Sequence, residues 1–332
     1  MSMDITQRID AVTKISNERI AMGGIQPPPK SVKIELSARC NLRCKYCAVG
    51  MRKKAPPPDM DLDFFKAITS DMRISGVEEI GLFYLGESFM NPELLVKACD
   101  WVKNELKFPY VFLTSNATIA RANTVEQLMQ VGLDSLKWSA NFADEQQFEY
   151  FTNSKSVFFY KALENIKEAW KIRNKHNYET KLSASSIMYG DDQKPKMEKF
   201  LEENIIPYVD KHYWLPLYQM SMYREHVMKE IGYMPTAGNM GRLDDKTFLP
   251  TRKPLPCWSA FTEGHVRADG GLSACCFGAD NRFDMGILDG NNFMMAWNSK
   301  KFQKLREAQL RTLTEGQGAL KGTPCQVCVA YE

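Results

Sequence analysis

Between Cys40 and Cys47 the chain places three thiols in a CxxxCxxC array, Cys40-Asn-Leu-Arg-Cys44-Lys-Tyr-Cys47, and no other stretch restricts its fold as much. The array follows closely on Val32-Lys-Ile-Glu-Leu36, an alternating apolar–polar run of the kind that forms a strand. Three thiolates on one loop can hold three irons of a four-iron, four-sulfur cube, because thiolate is the ligand such clusters prefer. A structural zinc site needs four ligands, and neither a fourth Cys nor a His lies in this loop. The fourth iron is then left open to bind something else. That separates a cluster that acts on a ligand from a closed electron carrier.

From Ser31 to about Met234, strand-like runs alternate with helical ones, the pattern of parallel β/α units. The expected strands are Val32–Leu36, Glu79–Leu85, Tyr110–Thr114, Ser135–Ser139, Lys181–Met188 and Tyr208–Leu215. Helices are expected over Leu62–Met72, Pro92–Glu105, Thr124–Val131, Val157–Asn174 and Lys196–Asn204. Such a chain reads as α/β, a partial, open parallel (β/α)6 barrel whose functional groups sit at the carboxyl ends of the strands. Before it, residues 1–30 read as a helical lead-in with Ile5, Ile9, Val12 and Ile15 at near-helical spacing, stopped by Pro27-Pro-Pro29. The barrel is expected over 31–235, and 236–332 as a linker and a small cysteine-bearing domain.

Length and charge agree with this and exclude other classes. The 332 residues suit about two ordinary domains. A formal charge of +3 is that of a mixed surface and points to neither nucleic acid nor membrane. The first residues lack the apolar core of a signal peptide and no apolar run reaches bilayer length, so the expected location is the cytoplasm. There, grouped cysteines are metal ligands more often than disulfides.

The second group of cysteines begins at Cys257. The run from Cys257 to Cys276 reads as two short strands around the Asp269-Gly270 turn, bringing Cys257 and Cys275 together. A helical run, Phe293–Leu313, and the closing Cys325-Gln-Val-Cys328 follow. Cys257, Cys275, Cys325 and Cys328 suffice to close a second cube, and a structural zinc would use the same four. Cys276 reads as a buried thiol beside a ligand and Cys99 as core packing.

The Cys40–Cys47 loop, with Tyr46 before its last Cys, resembles the signature of the radical S-adenosylmethionine (SAM) superfamily. Gly86-Glu87 resembles that family's "GGEP" motif, departing from it at Leu85 and Ser88. Leu113-Thr-Ser-Asn116 resembles its "TNG" strand end. The resemblance implies SAM chelated at the open iron and contacted by Tyr46, Gly86, Glu87, Ser115, Asn116, Ser139, Asn141 and Ser183. It also implies an electron donor such as flavodoxin or ferredoxin. The C-terminal part, with its Gly-x4-Cys hairpin, Met285-Gly-Ile287, Trp297, Phe302 and Leu305-Arg306, resembles the SPASM/Twitch extension. It is similar to the truncated one-cluster Twitch form found in 2-deoxy-scyllo-inosamine dehydrogenation of the butirosin pathway.

That resemblance implies a SAM-dependent oxidoreductase. SAM is cleaved to a 5′-deoxyadenosyl radical, a substrate hydrogen is abstracted, and the auxiliary cluster takes the second electron from a secondary alcohol of a sugar or cyclitol. Modification of a ribosomal peptide is the alternative within enzymes, and an iron–sulfur carrier or zinc-stapled scaffold the alternative outside them. No general base stands out in the sequence.

Overall fold

The computed structural model describes residues 4–50, 52, 54–190, 192–217, 240–276 and 281–328. Residues 218–239, where the expected barrel passes into the expected linker, lie outside the described residues. Nine strands form one open sheet: β1 (Ser31–Ile34), β2 (Glu79–Gly81), β3 (Tyr110–Ser115), β4 (Ser135–Ser139), β5 (Lys181–Met188), β6 (Lys211–Pro216), β7 (Glu263–Val266), β8 (Gly271–Ser273) and β9 (Asp284–Ile287). Their order is β6-β5-β4-β3-β2-β1-β7-β8-β9. The first six are parallel, as the sequence predicts. The C-terminal hairpin continues the same sheet: β7 runs parallel to β1, and β8 and β9 return antiparallel.

Period-two alternation sorts the strand residues into two environments. On β3, Val111 and Leu113 are fully buried in the main core, while Tyr110, Phe112 and Thr114 face a central cavity. Helices cover the outer face through stripes at helical spacing. In the Leu62–Ser75 helix these are Phe65, Ile68, Thr69 and Met72. Its ends are set chemically, since the Asp61 side chain accepts from Phe64 N and Gly76, at φ 97°, takes the left-handed turn that ends it. Asn91 caps the next helix, which opens on Pro92.

Three local departures from the sequence reading have clear causes. The lead-in is two helices, Ile5–Val12 and Asn17–Ala21, because Ser16 breaks the run to cap the second, its hydroxyl accepting from Arg19 N. The Phe293–Leu313 run likewise divides at Ser299, whose hydroxyl accepts from Phe302 N, into Phe293–Trp297 and Lys300–Glu315. A helix over Glu145–Thr152, absent from the sequence reading, is capped by Asp144 and buries Phe148 and Phe151.

The last long helix carries the staple of the C-terminal part. Arg306 is fully buried between the rings of Trp297 and Phe302, 4.2 and 4.1 Å from their centroids. Its guanidinium donates to the Ala260 carbonyl at 2.7 Å and the Gly24 carbonyl at 3.0 Å, joining the lead-in to the cysteine-bearing segment. Among the described residues no helix is long and apolar enough to cross a membrane.

Candidate active site

The cysteine loop leaves β1 at its carboxyl end and is held from several sides. Asp59 accepts from Ser37 Oγ at 2.7 Å, from the Arg39 guanidinium and from Asn91 Nδ2. The Arg52 guanidinium donates to the Ala38 carbonyl at 2.7 Å. The helix missed in the sequence supports the far side, its Phe151 and Thr152 carbonyls accepting from Lys45 N and Arg43 N. At Gly86 the chain passes so close that a Cβ would be driven into the Ser37 carbonyl oxygen. A glycine is therefore required there by space.

Beneath that crossing lies Glu35, buried, which the sequence reading passed over as a strand residue. Its carboxylate accepts from Gly86 N at 3.1 Å and Ala268 N at 3.2 Å. It thereby ties the cysteine loop, the end of β2 and the C-terminal hairpin into one corner. Burial raises its pKa above the ordinary carboxylate range.

Cys40, Cys44 and Cys47 line one cavity of about 210 Å³. Tyr46, Gly86, Glu87, Ser115, Asn116, Ser139 and Asn141 line the same cavity. These residues come from the ends of four strands, and the structure brings them to one cavity. Ser183 stands apart: it is buried on β5 opposite Lys137, and Ser185 occupies the register opposite Ser139.

Within the cavity Glu87 is the electrostatic focus. Its carboxylate accepts from Asn116 N at 2.8 Å, Ser115 Oγ at 3.0 Å and Phe89 N at 3.2 Å. Burial nevertheless pushes its pKa up to about 7, the three donors only partly offsetting the loss of water. Asn116 Nδ2 points toward Cys40 Sγ at 3.8 Å, and Asn141 Nδ2 donates to the Tyr46 hydroxyl at 3.2 Å.

Burial pushes the Cys40 thiol up to about 12 and raises Cys44 and Cys47 as well, the thiols reinforcing one another in Cys40 and Cys44. Such thiols stay neutral until a cation arrives, and iron reverses that balance by holding them as thiolates. The donor set therefore fits an iron–sulfur cluster.

Cys257, Cys275, Cys325 and Cys328 form a second thiol cluster, the charges of Cys325 and Cys328 being felt at Cys257. Burial leads in raising Cys257 and in pushing Cys325 up to about 12. Gln309, fully buried, accepts from Cys257 N at 2.9 Å. Tyr84 reaches across from the end of β2 and donates to the Cys275 carbonyl at 2.6 Å. Among the described residues no three Cys, His, Asp or Glu side chains converge on a point that would hold a single metal ion.

A second cavity, of about 270 Å³, fills the barrel lumen and shares Phe83, Tyr84 and Thr114 with the first. Its walls include Lys33, Lys137, Tyr213, Trp258, Glu263 and Cys276, so Cys276 faces the lumen. Lys33 Nζ lies 2.9 Å from Glu263, which also meets His265 Nε2 at 2.9 Å. Lys33 and His265 outweigh the burial of Glu263 and hold its carboxyl down at about 2. The signal for these groups was present in the sequence as charged residues at alternate strand positions, but alternation alone does not say which face is enclosed. Cys99 is fully buried in its helix, as core packing requires.

The sequence profile of the radical SAM superfamily matches residues 34–202, and that of an iron–sulfur cluster-binding domain, SPASM, matches residues 257–329. A GTP 3′,8-cyclase of Peptoclostridium acidaminophilum is 24% identical over 189 residues, 56% of this chain and 55% of the cyclase. The match thus spans about half the length of that relative. Among solved structures, SuiB of Streptococcus suis bound to S-adenosylmethionine superposes with a TM-score of 0.60 at 14% identity, covering 87% of this chain and 70% of SuiB. BtrN in complex with AdoMet and 2-DOIA superposes at 0.56 and 12% identity, covering 92% of this chain and 94% of BtrN. At these identities the structures speak for the fold alone. Taken with the superfamily profile spanning half of the sequence, they agree with the cofactors the site can hold: SAM, a SAM-binding 4Fe–4S cluster and an auxiliary cluster. The chain belongs to the radical SAM superfamily and carries a C-terminal SPASM-type iron–sulfur domain.

Proposed function

We propose that the protein is a radical SAM dehydrogenase that removes hydrogen from a secondary alcohol of a small sugar- or cyclitol-like molecule. The observation that carries this reading is the lumen cavity. It adjoins the cysteine-loop cavity on one side and reaches Trp258 and Cys276 of the C-terminal segment on the other. The lead-in helix lies across its far end, with Ile5, Arg8, Ile9 and Val12 in the wall. A chamber of that size between two cysteine groups suits a small molecule better than a peptide strand. BtrN, whose complex holds 2-DOIA, has nearly this chain's full extent, whereas SuiB, solved also with its precursor peptide SuiA, is the longer protein.

In this reading Cys40, Cys44 and Cys47 hold the SAM-binding cluster, and Cys257, Cys275, Cys325 and Cys328 the auxiliary one. When bound, the first would supply the electron that cleaves SAM, and the second would accept the electron left on the substrate after one hydrogen atom is abstracted, the hydroxyl proton passing to water. The chain's own residues bind and orient. With SAM bound, the buried Glu87 carboxylate would accept from its amino group, and the amide and hydroxyl groups of Asn116, Ser139 and Asn141 in the same cavity would hold its other polar groups. Phe83, Tyr84 and Thr114 line both cavities, so the SAM side and the lumen adjoin at these side chains.

Anaerobic reconstitution, reduction with dithionite and incubation with SAM tests this, with 5′-deoxyadenosine read by mass spectrometry beside a Cys40→Ala, Cys44→Ala, Cys47→Ala variant. The expected result is 5′-deoxyadenosine from the intact protein alone, carrying deuterium from a deuterated polyol. Deuterium arriving only from a peptide would replace this reading with peptide modification. Iron bound with SAM left intact would sink it.

A further inference from the structure

We infer that Lys137 anchors an oxyanion of the substrate, so that the lumen takes a hydroxylated small molecule bearing a carboxylate or a phosphate. This deepens the proposed function and rests on the lumen being the substrate chamber.

Lys137 sits in the middle of β4, between Thr114 on β3 and Ser183 on β5 in the sheet register. Neighbours in register project to the same face of a sheet, so the three form one inward row. Every other charge in the lumen wall has a partner. Glu79 is matched by Arg8 at 2.5 Å and Lys30 at 3.6 Å, and Glu263 by Lys33 and His265. Arg242 meets Asp10 at 3.2 Å. Lys137 has only the ring of Tyr213, 6.0 Å from its Nζ to the centroid, and no carboxylate among the described residues pairs with it.

A second observation points to the same ligand. The Ser183 hydroxyl, beside Lys137, is buried and has no hydrogen-bond partner. A buried donor left unmade is costly, and an oxygen-rich anion satisfies both the hydroxyl and the ammonium. The other titratable groups of the lumen wall are Tyr84, Tyr110, Tyr213 and Cys276 with the cations Arg8, Lys33 and Arg242, and its two carboxylates, Glu79 and Glu263, are already engaged by cations. Consistent with an unmatched cation, burial and then the charge of Lys33 bring the Lys137 pKa down to about 7. An anion restores it, whereas a substrate ammonium meets repulsion.

The test is competitive acetylation of the reconstituted, SAM-loaded protein with acetic anhydride across pH, with mass spectrometry reading Lys137. The probes are glucose 6-phosphate, glucuronate, glucose, glucosamine and a short glutamate-containing peptide. Glucose 6-phosphate or glucuronate is expected to slow Lys137 labelling about tenfold and move its midpoint to higher pH, while glucose and glucosamine do neither. Equilibrium dialysis with K137M is expected to lose the same anion, and K137R to retain part of it. The proposal is overturned if neither anion protects, if glucosamine protects equally, if K137M binds the anions unchanged, or if only the peptide carboxylate protects. Deuterium transfer to 5′-deoxyadenosine is scored separately. Transfer from neutral polyols without anion protection removes the anchor and leaves dehydrogenation standing. Protection by either anion with no transfer from any deuterated polyol keeps the anchor and removes dehydrogenation.

Discussion

Glu87 concentrates the electrostatics of the SAM side of the site, and its behaviour follows from burial. Because its folded pKa is raised to about 7, the folded chain holds a proton there that the unfolded chain releases near the ordinary carboxylate value. Stability from this group is therefore present at low pH and lost as pH rises through that interval. On the proposed reading SAM binding has the opposite slope, since an iron-bound amino group offers only N–H donors and needs the ionised carboxylate as acceptor. Affinity measured by equilibrium dialysis is expected to rise with pH to a plateau just above 7. E87Q should bind about 10- to 100-fold more weakly and lose most of this pH dependence. Gly86 acts by absence: in G86A a methyl group must displace the Ser37 carbonyl. Iron analysis after reconstitution should then show the Cys40–Cys47 site depleted while the C-terminal site still fills.

At the scale of elements, some of this was readable and some was not. The Ser135–Ser139 and Lys181–Met188 strands match their sequence ranges to the residue, because alternating polar and apolar residues bounded by turn residues leave little freedom. β1 is shorter than expected, ending at Ile34, and the next residue, Glu35, donates its N–H to the Val266 carbonyl at 2.8 Å. The pairing of β1 with β7 was hidden for a different reason. A parallel contact between distant segments leaves no local pattern, and the cysteine spacing spoke only of the hairpin. The Glu145–Thr152 helix was obscured because its signal is a cap and two phenylalanines rather than a long stripe. Arg306 was visible only as part of a resemblance, yet it joins two elements that the sequence holds far apart. R306M keeps the stem between Trp297 and Phe302 but strips donors from two buried carbonyls. Chemical denaturation should show a loss of roughly 2–4 kcal/mol, with the Lys300–Glu315 helix retained by circular dichroism.

For the whole molecule, the decisive feature is that β1 is hydrogen-bonded on both sides, to β2 within the barrel and to β7 from the far end of the chain. Lys33 and Glu263, which meet across that seam, are 230 residues apart. A ribosome therefore delivers the strand that leads into the radical-generating loop long before the strand that completes it. Until β7 emerges, β1 presents an open parallel edge, a state prone to pairing with other chains. The corner built on Glu35 also waits for the Ala268 N–H. Completion of the sheet around the cysteine loop thus waits for the arrival of the C-terminal iron–sulfur domain. A chain interrupted before the hairpin leaves β1 unpaired on one side and Glu35 without its Ala268 donor.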